Sequence, residues 1–392
     1  MTTATALPVN ATPPLPPVTG YAGEVVYLYA FDVAYEMNRK PVGTLLGQPL
    51  VEFQVGTSKR SPRQLSFYRP QMVRLPPVER IGPRGTLRVE RSVKLLAVGA
   101  ISVMVRVPFR VSTLGELVAF HDLRFSDGTY LYDEVRQLAD DVRAEMRLHY
   151  LRPVDQLRDE EAYTVFCIHS PLANAGGEEG RTTFASAEEW FQSHRREIAA
   201  LLTEEPDVGR LSEQEAIEST SRYLSYYDRD LAVIDWDAAL VADEPQFFDE
   251  TLYLVELANV QLAELEAYDR ILDGTVERSY RDLAGRKWRG GWQRTGIQNE
   301  LREIRIDLAR LSDELSNITK FFGDFHLARV YQSLSARFHL SDWHRAIDEK
   351  LKTLDDLYGL LKTEQNNRWM LVLEISIVFL FIIDLVILAI GR

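Results

Sequence analysis

Four aspartates crowd into one short stretch, YYDRDLAVIDWD, at Asp228, Asp230, Asp235 and Asp237. Two or three carboxylates at such spacing can offer hard oxygen ligands to a divalent cation, and a metal-bound water would make a metal-dependent hydrolase conceivable. The same stretch reads equally as a short apolar strand, LAVI, capped and flanked by aspartates. The strand reading is taken, with no metal and no cofactor assigned. The seven histidines show no HExxH spacing, and His344, close to His339 and Asp342, occupies a packing position in a helical repeat. No phosphate-cradling glycine loop and no GxSxG elbow occurs, and Gly176-Gly177 runs into Glu178 and Glu179, the wrong charge for phosphate. No residue is assigned as catalytic, so a non-enzymatic role is favoured.

Two more carboxylates stand where they are costly. The run WMLVLEISIVFLFIIDLVILAI at 369–390 is apolar all round except for Glu374 and Asp384. At 1.5 Å per residue it extends about 33 Å, against about 30 Å of bilayer hydrocarbon. A transmembrane helix is therefore expected at 368–391, with Trp369 as an interfacial aromatic. A carboxylate at mid-depth costs on the order of 3 kcal/mol unless neutralised or paired. Glu374 is near enough to Trp369 to reach the interface, and Asp384 is expected to bond to its copy on a neighbouring subunit. Functional roles for both would instead suit an accessory subunit of a transporter.

Charge and cysteine content narrow the classes. The 392 residues carry 58 acidic and 45 basic side chains, a formal charge of -13, which disfavours nucleic acid as a partner. The single cysteine, Cys167, lies in TVFCI and reads as a small core residue. The first twenty residues carry five prolines and no basic or apolar leader, which gives a disordered arm and an expectation that the hydrophilic part stays cytoplasmic, at a bacterial inner membrane.

Periodicity organises the rest. Strands are expected at 24–33, 86–111 (two or three, turning at Gly99), 162–168 and 230–235, and helices at 113–121, 130–149 and 187–202. These form an α+β domain over 21–245, with a proline-rich loop at 61–83. A helical stalk follows at 246–367. Its first helix, 247–272, is expected to stop at Gly274. Ile297, Leu301, Ile304, Leu308, Leu311, Leu315, Ile318, Phe322 and Phe325 then alternate four and three apart, as do Leu340, His344, Ile347, Leu351, Leu354, Tyr358 and Leu361. Two such seams, separated by Gly323 and a Ser341 cap, predict an antiparallel coiled-coil hairpin. The loop before it, RKWRGGWQRTG, places Arg286, Lys287, Arg289 and Arg294 around Trp288 and Trp292, the composition of a headgroup-binding loop.

The segments LARVYQSLSARFHL, IDEKLKTLDDLYGLL and RWMLVLEISIV, in that order over 327–390, resemble the C-terminal signature of the required-for-meiotic-nuclear-division family, a domain of unknown function. GAISVMVRVPF, DLAVIDWDAALV and LYLVELANVQLAELEAYD are similar in kind and order. The resemblance implies an α+β domain, a helical stalk and a C-terminal membrane helix. For mitochondrial members it implies an inner-membrane protein supporting organellar translation, and for bacterial members no established activity. The resulting expectation is a single-pass, non-enzymatic scaffold that contacts the lipid bilayer, forms a homo-oligomer through stalk and span, and presents its α+β domain to a protein partner.

Overall fold

The computed structural model describes residues 20–37, 42–53, 70–96, 99–153, 160–170, 186–284, 302, 306 and 325–390. The chain forms two compact units, Met1–Ala263 with Leu311–Phe338 and Glu264–Arg310 with His339–Arg392.

The first unit is α+β. Its strands are β1 (Tyr21–Asp32), β2 (Ala34–Met37), β3 (Thr44–Leu45), β4 (Gln48–Pro49), β5 (Val51–Glu52), β6 (Gln71–Gly82), β7 (Gly85–Leu95), β8 (Ala100–Val111), β9 (Tyr150–Pro153), β10 (Glu161–His169), β11 (Tyr223–Leu224), β12 (Leu231–Ile234) and β13 (Ala238–Asp243). Nine of them make one sheet in the order β11-β12-β13-β10-β1-β8-β7-β6-β5, antiparallel except between β10 and β13. β1 lies at the centre because YAGEVVYLYAFD is apolar on both faces, and a strand covered on both sides needs that. Gly23 lets it pass closely: a Cβ there would fall 1.8 Å from the Cys167 carbonyl oxygen. Gly99, at φ +98, turns β7 into β8 as the sequence suggested.

One sheet face, with Tyr27, Val93, Val105, Phe166 and Leu240, joins the main core. That core also takes in Leu131 and Val135 of α1 (Leu131–Met146) and Trp190 and Phe191 of α2 (Ala187–Leu202). α2 starts where a capping box places it, the Ser186 hydroxyl accepting the Glu189 N–H at 3.1 Å. A shorter helix, α3 (Glu213–Ser219), packs on α2.

The opposite face is covered by the first part of α4 (Phe248–Ala284) and by α5 (Phe325–Arg337). Asp249, Leu252, Tyr253, Glu256, Val260 and Ala263 recur at helical spacing, and Val260 and Ala263 pack on Ala30, Leu96 and Ala100. α5 is held by a Tyr331 hydroxyl bond to Gln261 (2.6 Å), by Arg337 paired with Asp235, and by the Phe338 ring edge-on to Tyr163.

Two expectations shift inside this unit. The proline-rich segment read as a loop supplies β6 from Gln71 onward. Pro76 and Pro77 sit where the β6–β7 register slips between Leu75 and Val78, a bulge that removes the need for their missing N–H donors. α4 does not stop at Gly274 but continues to Ala284. An interior glycine costs about 1 kcal/mol, and burial of Leu272, Thr275 and Ser279 on both sides of it outweighs that.

In the second unit, the later part of α4 is joined to α6 (Leu340–Ile390) by Lys350, which reaches Asp269 and Asp273, each at 2.6 Å. Ile347, Leu351 and Leu354 are buried. The long hairpin stalk is not found among the described residues. Its first arm, with Ile297, Leu301, Ile304, Leu308, Leu311 and Leu315, lies outside them, and Phe325 opens α5, whose apolar stripe belongs to the α+β unit. The chain breaks between α5 and α6 at His339 (φ 50), and Gly323 lies outside the described residues. A 4-3 repeat fixes an apolar stripe but not the surface that covers it, which is why the pairing was misjudged.

The membrane reading is corrected as well. Among the described residues no helix is long and apolar enough to cross a membrane. The transmembrane helix, the single-pass topology and the membrane localisation are therefore not supported.

Candidate functional site

The four aspartates do not converge. Asp230 is buried and accepts the N–H groups of Tyr226 (2.7 Å) and Tyr227 (2.9 Å), closing the turn before β12. Asp235 pairs with Arg337, which also reaches Glu218 at 3.4 Å, and burial pushes the Asp235 carboxyl above its ordinary range against the pull of Arg337. Asp228 and Asp237 contribute backbone carbonyls, to the N–H of Ala187 (2.7 Å) and of Thr164 (3.0 Å). Among the described residues no group of three or more His, Cys, Asp or Glu side chains is placed to hold a metal ion. Cys167 is buried, and burial pushes its thiol well up, so it packs as an inert core residue.

Arg286, Lys287, Trp288, Arg289, Trp292 and Arg294 lie outside the described residues. Leu361 and Asp384 are on α6, with side chains outside the described ones. Glu374 and Trp369 are exposed, and the nearby Ser376 hydroxyl bonds back to the Val372 carbonyl at 2.7 Å.

What the fold does assemble is a pocket of about 420 Å³ between β6, β7, β8 and the first two turns of α4. Strand pairing builds its floor in rows: Met72 beside Lys94 beside Ser102, then Arg74 beside Ser92 beside Met104, then Glu90 beside Arg106. Because side chains alternate across a strand, all of these share the face opposite the main core. Met72, Met104, Leu252 and Tyr253 are buried and make the base apolar. At its deep end Lys94 pairs with Glu256, which also accepts from the Ser102 hydroxyl at 2.6 Å, and the Lys94 ammonium lies 3.6 Å from the centre of the Phe53 ring. At the helix end Arg106 joins Glu24 (3.1 Å) to Asp249. Arg88 and Glu90 pair at 2.9 Å on the outer rim, where both are well exposed and the pair is weak. Arg74 and the Ser92 hydroxyl directly opposite it have no hydrogen-bond or ion partner among the described residues.

The sequence reading missed this pocket because Met72 and Arg74 fell inside the presumed loop. A signal was present in TLRVERSVKL, where Arg88, Glu90, Ser92 and Lys94 alternate with Leu87, Val89 and Val93 and so had to share one face.

Sheet, covering helices and pocket define an α+β protein of mixed-sheet type with a cationic, apolar-floored cleft. The chain belongs to the family described as "Uncharacterized protein MJ0711, N-terminal domain", whose model matches residues 22–249, more than half of its length. The protein named "Uncharacterized protein MJ0711" from Methanocaldococcus jannaschii is similar to it, 22% identical over 265 residues that cover 68% of this chain and 76% of that one. No solved structure matches the chain. This family replaces the resemblance to the required-for-meiotic-nuclear-division family. That likeness rested most on helical apolar spacing at 327–390, a pattern shared by unrelated amphipathic helices, whereas the family match lies wholly in the α+β part.

Proposed function

We propose that the protein is a non-enzymatic scaffold that self-associates through the C-terminal part of α6 and presents its α+β unit to a protein partner. The observation that carries this is the stretch 369–383, where thirteen large apolar side chains are 39% to 69% exposed in the single chain. Soluble surfaces rarely leave so continuous an apolar patch uncovered. The occupant that fits is a second copy. A helix apolar around its whole circumference needs neighbours on every side, and copies of itself supply them by symmetry. Each copy offers on the order of 1,000 Å² of apolar surface, against about 800 Å² per partner in a standard interface.

The buried charged groups named above support binding rather than chemistry. Lys94 and Ser102 are engaged by Glu256, and Arg337 by Asp235, and these pairs hold helices to the sheet. The metal-dependent hydrolase reading gains no support, because Asp230 and Asp235 are occupied by a turn and by Arg337.

Sedimentation of the full chain tests the proposal. The chain is expected to sediment as an oligomer, Leu373→Glu with Leu380→Glu to give monomers of unchanged thermal stability, and Glu374→Leu to strengthen the assembly by removing a carboxylate from its interface. A monomeric full chain, or oligomers indifferent to these substitutions, would refute it.

A further inference from the structure

We propose that the pocket between β6, β7, β8 and α4 is a binding site for a small amphipathic organic anion, with its anionic head held by Arg74 and Ser92 and its apolar body laid on Met72, Met104 and Tyr253. The inference stands apart from self-association, since α6 contributes nothing to the pocket.

Three features of the pocket point the same way. The first is charge accounting at the level of partners. Lys94 is matched by Glu256, Arg106 by Glu24 and Asp249, and Arg88 by Glu90. Of the lining cations on the face opposite the main core Arg74 is left over, while Arg91, also unmatched, alternates to the other face; the protein's formal charge is -13, so acidic side chains are not scarce. A planar guanidinium with no carboxylate presents forked donors suited to a carboxylate or phosphate oxygen pair.

The second is placement. Arg74 and Ser92 are direct cross-strand partners, so their Cβ atoms lie about 5 Å apart and a guanidinium and a hydroxyl can meet one head group from two sides. Neither has another bonding partner among the described residues.

The third is the floor. Met72 and Met104 flank that pair along the sheet, Tyr253 closes the side towards α4, and all three are buried, so the head group sits at the edge of an apolar surface. Methionine side chains adapt to varied shapes, and an aromatic ring offers a flat face. A volume of about 420 Å³ falls in the range of small-molecule sites. A bare inorganic ion would leave this floor wet, and a neutral apolar molecule would leave Arg74 without a counterion. A molecule with one anionic head and an apolar or aromatic body satisfies both.

Titration calorimetry on the full chain tests the site with phenylbutyrate, phenylbutyl phosphate, phenylbutanol, acetate and inorganic phosphate. At least one of the two amphipathic anions is expected to bind at least about tenfold more tightly than phenylbutanol, and more tightly than acetate or inorganic phosphate by a similar factor. Whichever of the two binds better identifies the head as carboxylate or phosphate. Arg74→Gln, an exposed position that folding does not depend on, should bring the anion down to the affinity of the alcohol, Arg74→Lys should recover part of it, and Ser92→Ala should cost about threefold. Equal binding of alcohol and anions, unchanged binding in Arg74→Gln, or binding of no probe would each overturn the proposal.

Discussion

Lys94 and Glu256 form an ion pair whose side chains are only 3% and 4% exposed, joining β7 to α4 under the pocket. Removing one member should be far worse than removing both. Lys94→Met strands a buried carboxylate with Ser102 as its remaining donor, at a cost of about 3–5 kcal/mol. Glu256→Leu strands the ammonium, but Phe53 and Tyr253, with ring centres at 3.6 and 5.7 Å, offset part of the loss, so about 2–4 kcal/mol is expected. Additive behaviour would make the double variant about 5–9 kcal/mol less stable. Instead the double variant leaves only the Ser102 hydroxyl unpaired, a penalty of about 1–3 kcal/mol, and gains apolar packing against the rings. The coupling energy should therefore be about 2 kcal/mol or more, and adding Ser102→Ala should restore still more stability. Urea unfolding of the four proteins in the cycle, followed by circular dichroism, reads these values directly. A double variant as unstable as the two singles combined would show that the pair does not act as a unit, and that α4 is held to the sheet by its apolar contacts alone.

Gly274→Ala should stabilise the protein by up to about 1 kcal/mol in thermal or urea unfolding, because the position is mid-helix and an added Cβ meets nothing within 4 Å; a loss of stability would mean that α4 is not continuous there. Burial pushes the Asp243 carboxyl up to about 6, with Asp230, Glu244 and Glu250 adding to the rise against a bond from the Glu244 N–H. A carboxyl raised in the folded state binds protons more readily than in the unfolded chain, so its contribution is full below its ordinary value of 3.8 and is lost as pH rises through about 6. After allowance for solvent screening that is about 1 kcal/mol. Asp243→Asn, which keeps the acceptor oxygen, should flatten the stability profile over that window, and an unchanged profile would count against the assignment.

The parts of the fold that were legible in the sequence are those where a local pattern had one physical solution. β1 declared itself by an unbroken apolar run, β7 and β8 by a strand pattern turning at Gly99, and α2 by its helical pattern over 187–202. β6 was hidden because its prolines signal a loop unless a bulge absorbs them, and whether a bulge forms depends on β7, a neighbour that no single segment specifies. The same limit explains the helices. Ile347, Leu351 and Leu354 had the right period and are buried, yet they belong to the unit containing the later part of α4, while α5, which begins at the last residue of the first seam, Phe325, belongs to the α+β unit. Period says that a face will be buried, and complementarity of the surfaces says by what. The pocket needed both kinds of information. Its rows depend on the pairing of Arg74 with Ser92 and of Ser92 with Met104, so an unpaired arginine became visible as a candidate ligand-binding group only once the register had shown which cations share that face and which of them are matched by carboxylates.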